Sequence, residues 1–123
     1  MKQSAAFTRS LRWAWAGVRA AVRRERNMKI HLVFTAAVTA AGLLFGISKT
    51  EWLVCLIFFA LVLGAELMNT AVESAVDLIS PEKHPLAKLA KDAAAGAVLV
   101  CAFFAAVAGC LIFVPHIWAL FVS

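Results

Sequence analysis

Polar and apolar residues are segregated into long blocks along this chain. Three apolar runs, residues 30–47, 52–68 and 93–122, are separated by short polar stretches. Each is near or above the roughly 17–25 residues that a membrane-spanning helix needs, and the third is long and contains Pro115. Residues 5–26 follow another rule. Phe7, Leu11, Trp15, Val18 and Val22 recur at steps of three and four, while Arg9, Arg12, Arg19, Arg23 and Arg26 fall on the other side. That spacing predicts a basic amphipathic helix lying in the membrane surface. The expected fold is therefore all-α: one integral-membrane domain over residues 1–123, with a surface helix at 5–26 and spans at about 30–47, 52–79 and 86–113.

Between the first two spans only residues 48–51 are available, so those spans form an antiparallel hairpin. Span two continues past its apolar part until Ser80-Pro81-Glu82-Lys83-His84-Pro85, where both prolines oppose helix continuation. Small residues at 93–97 favour close helix packing, and the Gly42/Gly46 pair does so more weakly.

Composition sharpens the membrane reading. Of 123 residues, 63% are hydrophobic and mean hydropathy is +0.88, against about 45–50% apolar residues in soluble domains. The net charge of +5 is unevenly placed. Eight Lys and Arg precede the first span, Lys49 lies in the first loop, Lys83, Lys88 and Lys91 lie between spans two and three, and none follows. Basic short loops stay cytoplasmic, which puts the N-terminus inside, the C-terminus outside, and Trp52 and Trp118 at the outer interface. The basic excess is read as topology and attraction to anionic head groups, not as a nucleic-acid footprint. Cys55, Cys101 and Cys110 sit in apolar runs without C-x-x-C spacing, as buried small residues do. The first apolar run begins only at residue 30 and is read as a span, not a cleavable leader.

Candidate chemistry gathers at one end. Glu66, Asn69, Glu73 and Asp77 fall at about 0°, 300°, 340° and 20° around a helix, one stripe about 80° wide. Carboxylates at membrane depth are costly and are usually kept for a task. Glu25, Glu73, Asp77, Lys91 and Asp92 all fall near the cytoplasmic surface, and Glu66 lies about 10 Å deeper than Glu73 at 1.5 Å per residue. Carboxylates with one Lys suit Mg²⁺ shared with phosphates, and Lys91 offers phosphate a point charge. Glu66, alone in a low-dielectric setting, suits a proton acceptor working near neutrality. Glu25 is the one acid among eight basic residues, and a salt bridge to a neighbouring Arg is its plainest role. The soluble kinase loops G-x-x-x-x-G-K-[ST], G-x-G-x-x-G and H-R-D are absent. The residues alone leave three classes open: a lipid-facing enzyme, a proton-coupled transporter using Glu66, and a structural subunit.

A resemblance narrows them. Glu66-Leu-Met-Asn69-Thr-Ala-Val-Glu73-Ser-Ala-Val-Asp77 resembles the E-x-x-N-[ST]-A-[IV]-E-x-x-[IV]-D signature of the small bacterial integral-membrane lipid kinases, which include diacylglycerol kinase and undecaprenol kinase. His84-Pro-Leu-Ala-Lys88-Leu-Ala-Lys91-Asp92-Ala-Ala-Ala-Gly96 is similar to that family's second block, and residues 15–21 and 25–31 resemble its N-terminal segment. The resemblance implies ATP-dependent phosphorylation of a lipid alcohol by a homotrimer with sites shared between subunits. It implies Glu66 as general base, with Glu25 and Glu73 on the divalent metal and the ATP phosphates. Lys91 and Asp92 then contact the nucleotide, and Glu82 and His84 border the adenine. Asn69 supports Glu66 and the acceptor, Asp77 supports the metal–phosphate end, and Arg19 meets the lipid. Glu82 as a solvated loop charge, His84 as a helix cap and Lys88 as an interfacial residue remain the simpler readings. The diacylglycerol branch carries an acid where His31 stands, so the likeness leans toward the polyprenol branch, with diacylglycerol the alternative acceptor. Which of Arg9 and Arg12 faces the phosphates stays open.

Overall fold

The structure, a computed structural model, describes residues 1–122. It contains four helices in the order α1 (Lys2–Arg24), α2 (Arg26–Phe45), α3 (Lys49–Ile79) and α4 (Pro85–Val122). The last three are each long and apolar enough to cross a membrane. At 1.5 Å per residue, α3 is about 46 Å long and α4 about 57 Å, well beyond the roughly 30 Å of a bilayer's hydrocarbon core. Their polar ends therefore extend past such a zone, and Glu73, Asp77 and Lys91 lie on that extension.

Local chemistry sets each boundary. α1 starts earlier than residue 5 and stops at Arg24, because Glu25 adopts extended backbone (φ −98°, ψ 116°) and closes α1 while opening α2. α2 ends at Gly46, whose φ of 61° is left-handed. That conformation favours glycine, so Gly46 makes the turn and Gly42 alone makes the close packing. Ser48 then caps α3 in a reciprocal box: Glu51 N–H donates to Ser48 Oγ, and Ser48 N–H donates to a Glu51 carboxylate oxygen. His84 starts α4, its Nδ1 accepting from the Leu86 N–H at 3.1 Å. α4 runs through Pro115 to Val122, past residue 113. A proline is tolerated within a spanning helix because neighbouring groups re-satisfy the freed carbonyl.

α3 and α4 form the main antiparallel pair, with α2 packed more lightly on α3 and α1 touching both α2 and α3. A small apolar core of Ile47, Cys55 and Ile112, flanked by Phe45, Trp52 and Phe113, ties the end opposite the acidic stripe. Beside it His116 Nε2 lies 3.3 Å from both carboxylate oxygens of Glu51. Most large apolar side chains of the long helices, among them Leu44, Leu99, Leu111 and Phe121, remain exposed.

Candidate functional site

Glu66 is 1% exposed and Asn69 6%, the two buried polar side chains of the described residues. Both belong to the predicted stripe on α3, and helical spacing puts Glu73 and Asp77 on the same face, progressively closer to its end. Asn69 Nδ2 donates to Glu73 Oε1 at 3.4 Å. Across the helix interface, His31 Nε2 of α2 lies 3.6 Å from Glu66 Oε2. Glu66 Oε1 and Asn69 Oδ1 have no hydrogen-bond partner among the described residues. Buried polar atoms are nearly always paired, and these two acceptors are exceptions.

The other predicted residues divide between the neighbourhood of Glu66 and the polar end. Glu25, at the α1–α2 elbow, and Glu73 both lie within electrostatic reach of Glu66. Among the described residues, neither carboxylate has a Lys or Arg within 4 Å in an ion pair, so the expected Glu25–Arg salt bridge does not form. Lys91 of α4 pairs with Asp77 of α3 and also feels Glu73. Asp92 pairs with Lys88 one turn away. Glu82 and His84 lie exposed in the α3–α4 turn, with the His84 ring on the start of α4. Arg19 is exposed on α1.

No group of three His, Cys, Asp or Glu among the described residues is arranged to hold a metal ion. Mg²⁺ takes one or two protein carboxylates and completes its shell with phosphate and water. Glu25 and Glu73, without a Lys or Arg partner and each within electrostatic reach of Glu66, are carboxylates of the kind a hard divalent cation takes.

Two clefts adjoin the cluster. One, of about 360 Å³, lies between α2, α3 and α4. It starts at the level of His31, Val62 and Ala102 and runs toward Cys55 and Ile112. Its Thr35 hydroxyl is already used, donating to the His31 carbonyl at 2.8 Å. The other, of about 370 Å³, separates α1 from the polar end of α3, with Gly17, Ala21 and Arg24 opposite Thr70, Ala71 and Ser74.

Sequence reasoning from spacing alone missed one residue here, His31, and one pair at the opposite end, Glu51 and His116. His31 entered only through its likeness to a motif, although it is the one ionisable side chain inside the first apolar run, which is a usable signal. The Glu51–His116 pair joins positions 65 residues apart, and no pattern along the chain announces it.

Residues 12–113 match the prokaryotic diacylglycerol kinase family. The chain belongs to that family. It is 42% identical over 111 residues to undecaprenol kinase from Bacillus subtilis, covering 90% of each chain. It is 42% identical over 114 residues to a diacylglycerol kinase from Synechocystis, covering 92% of this chain and 65% of that one. Against diacylglycerol kinase from Escherichia coli K12 it is 27% identical over 113 residues, covering 89% and 93%. Membership makes the protein a lipid kinase, and the enzyme class stands over the transporter and the structural subunit.

Proposed function

We propose that this protein is an ATP- and Mg²⁺-dependent kinase that phosphorylates undecaprenol in the cell membrane, working as a homotrimer with its N-terminus and α3–α4 turn cytoplasmic. The reading rests above all on Glu66: a carboxylate 1% exposed, with one oxygen unpartnered, in the field of Glu25 and Glu73 and joined through His31 to an apolar cleft. An alcohol hydroxyl donates to that oxygen and loses its proton to it. The alcohol oxygen then forms its bond to the γ-phosphorus as the bond to the β-phosphate bridging oxygen breaks and ADP departs. Mg²⁺ held by Glu25 and Glu73 would neutralise phosphate charge. Lys91, kept in place by Asp77, faces the same phosphates, and positioning of this kind supplies most of the catalysis in phosphoryl transfer. Asp92, Glu82 and His84 are assigned to the nucleotide's outer end. Asn69 steadies the acceptor, and α1, with Arg19, lies along the lipid surface.

The cleft supports undecaprenol as the acceptor. Its lining is apolar apart from His31, Thr35 and Cys55, and the Thr35 hydroxyl is spent within α2. A prenol carries no polar group beyond its terminal hydroxyl, whereas diacylglycerol brings two ester carbonyls within a few atoms of it, and each would lie unpaired. The similarity to undecaprenol kinase along nine-tenths of both chains points the same way. The test is phosphate transfer from labelled ATP by purified protein in mixed micelles with C55 alcohol or diacylglycerol. Labelled prenyl phosphate is expected with Mg²⁺, and none after chelation. Faster turnover of diacylglycerol would reverse the acceptor assignment, and absence of any lipid product from a folded protein would end the reading.

A further inference from the structure

The two α2 threonines turn their hydroxyls back on their own helix, Thr35 to the His31 carbonyl and Thr39 to the Thr35 carbonyl at 2.7 Å. His31 does otherwise: its ring crosses to α3 and reaches Glu66. Its side chain is 19% exposed, that of Glu66 2%, so the contact lies largely out of solvent. His31 also lines the apolar cleft at the end nearest Glu66. A glutamate carries three side-chain torsions, and holding it in one rotamer costs side-chain entropy. With no Lys or Arg partner, Glu66 has His31 as its one ion-pair neighbour among the described residues, and the Asn69 side chain lies within its reach on α3. His31 Nε2 faces Oε2 at 3.6 Å, an ion-pair rather than a hydrogen-bond separation, and Oε1 has no hydrogen-bond partner among the described residues.

We propose that His31 is a positioning residue for the phosphoryl acceptor: by holding Glu66 Oε2 it presents Oε1 to the hydroxyl of an isoprenoid alcohol whose chain lies in the cleft that His31 lines. The inference rests on the kinase reading above and adds a residue to it. His31 acts through Glu66 and the approach of the alcohol, so ATP binding is independent of it. Displacing a reacting group by about 1 Å can cost on the order of 10²-fold in rate, which sets the scale of the effect.

The test compares His31→Leu, which keeps the bulk and removes the ring nitrogens, with His31→Gln, which restores an N–H donor of similar reach. Full-length variants are assayed in mixed micelles with C55 alcohol, varying ATP and alcohol separately, beside thermal unfolding of each. Expected is a fall in kcat of about 10- to 100-fold for His31→Leu, with KM for ATP unchanged and most of the rate restored in His31→Gln. A wild-type rate in His31→Leu overturns the inference and leaves the kinase standing. Equal losses in both variants, tracking a lowered melting temperature, also overturn it, because packing alone then accounts for the effect. An inactive wild-type protein removes the kinase reading itself, and the inference with it.

Discussion

Glu66 is where burial and chemistry meet most sharply. A carboxylate with 1% exposure and one imidazole neighbour at 3.6 Å is a poor choice for stability, since an apolar residue of that size would pack there without desolvating a charge. On the proposed reading its task is proton transfer, and general-base catalysis is worth about 10²- to 10⁴-fold. Glu66→Gln is therefore expected to lower kcat on the lipid acceptor by about that factor while raising or preserving the melting temperature. Labelled-phosphate transfer and thermal unfolding of the same preparation check both halves. The pairs at the polar end behave differently. Lys91 and Asp77 sit where water reaches them, with side chains 39% and 63% exposed, and such pairs contribute little to folding. Their value is in placing a cation beside Glu73.

Among the elements, the hairpin of α2 and α3 depends on two glycines that do unlike things. A Cβ on Gly42 would come within 2.7 Å of Trp52 Cη2 and 3.1 Å of Ile47 Cδ1. Gly46 meets nothing within 4 Å but has φ +61°. Gly42→Ala is thus an overpacking change, expected to cost about 1–3 kcal/mol, and Gly46→Ala a backbone strain of roughly 1–2 kcal/mol. Thermal unfolding in detergent separates them. Trp52→Phe, which shortens the ring that clashes, should recover much of the Gly42→Ala loss and none of the Gly46→Ala loss; equal recovery in both double variants would contradict the assignment. The elbow at Glu25 is the other element-scale device. Leaving the helix for a single residue turns α1 along α3 and brings an acid from the basic N-terminal segment to the carboxylates of α3.

At the scale of the whole molecule, the protomer exposes 9339 Å² for 13.2 kDa, where a compact folded protein of that mass exposes about 6,400 Å². Three long helices touching along one main seam leave most of their apolar faces uncovered. Lipid covers some of that area and, on the proposed reading, two further copies cover the rest. Native mass spectrometry of protein released from micelles should give three copies per particle. Co-expressing inactive Glu66→Gln with inactive Glu73→Ala should restore part of the activity if a site combines Glu66 of one protomer with Glu73 of another. Monomeric particles with full activity would refute the assembly.

What the linear pattern determined was everything that depends on period and run length. Three spans, the two turns, and the one-faced run of Glu66, Asn69, Glu73 and Asp77 follow from 3.6 residues per turn and from the length needed to cross hydrocarbon. The motifs at 66–77 and 84–96 led to the family before any coordinate. The helix ends shifted by several residues because Glu25, Gly46 and His84 set them through backbone conformation and capping, which apolar periodicity does not encode. Tertiary structure alone decided which polar groups from different helices face each other: His31 against Glu66, Asp77 against Lys91, Glu51 against His116, and Glu25 within the field of Glu66 but free of its arginines. Such contacts depend on how helices rotate and cross, and that is set by many small packing terms spread over the interfaces, none of which is written at a single position in the chain.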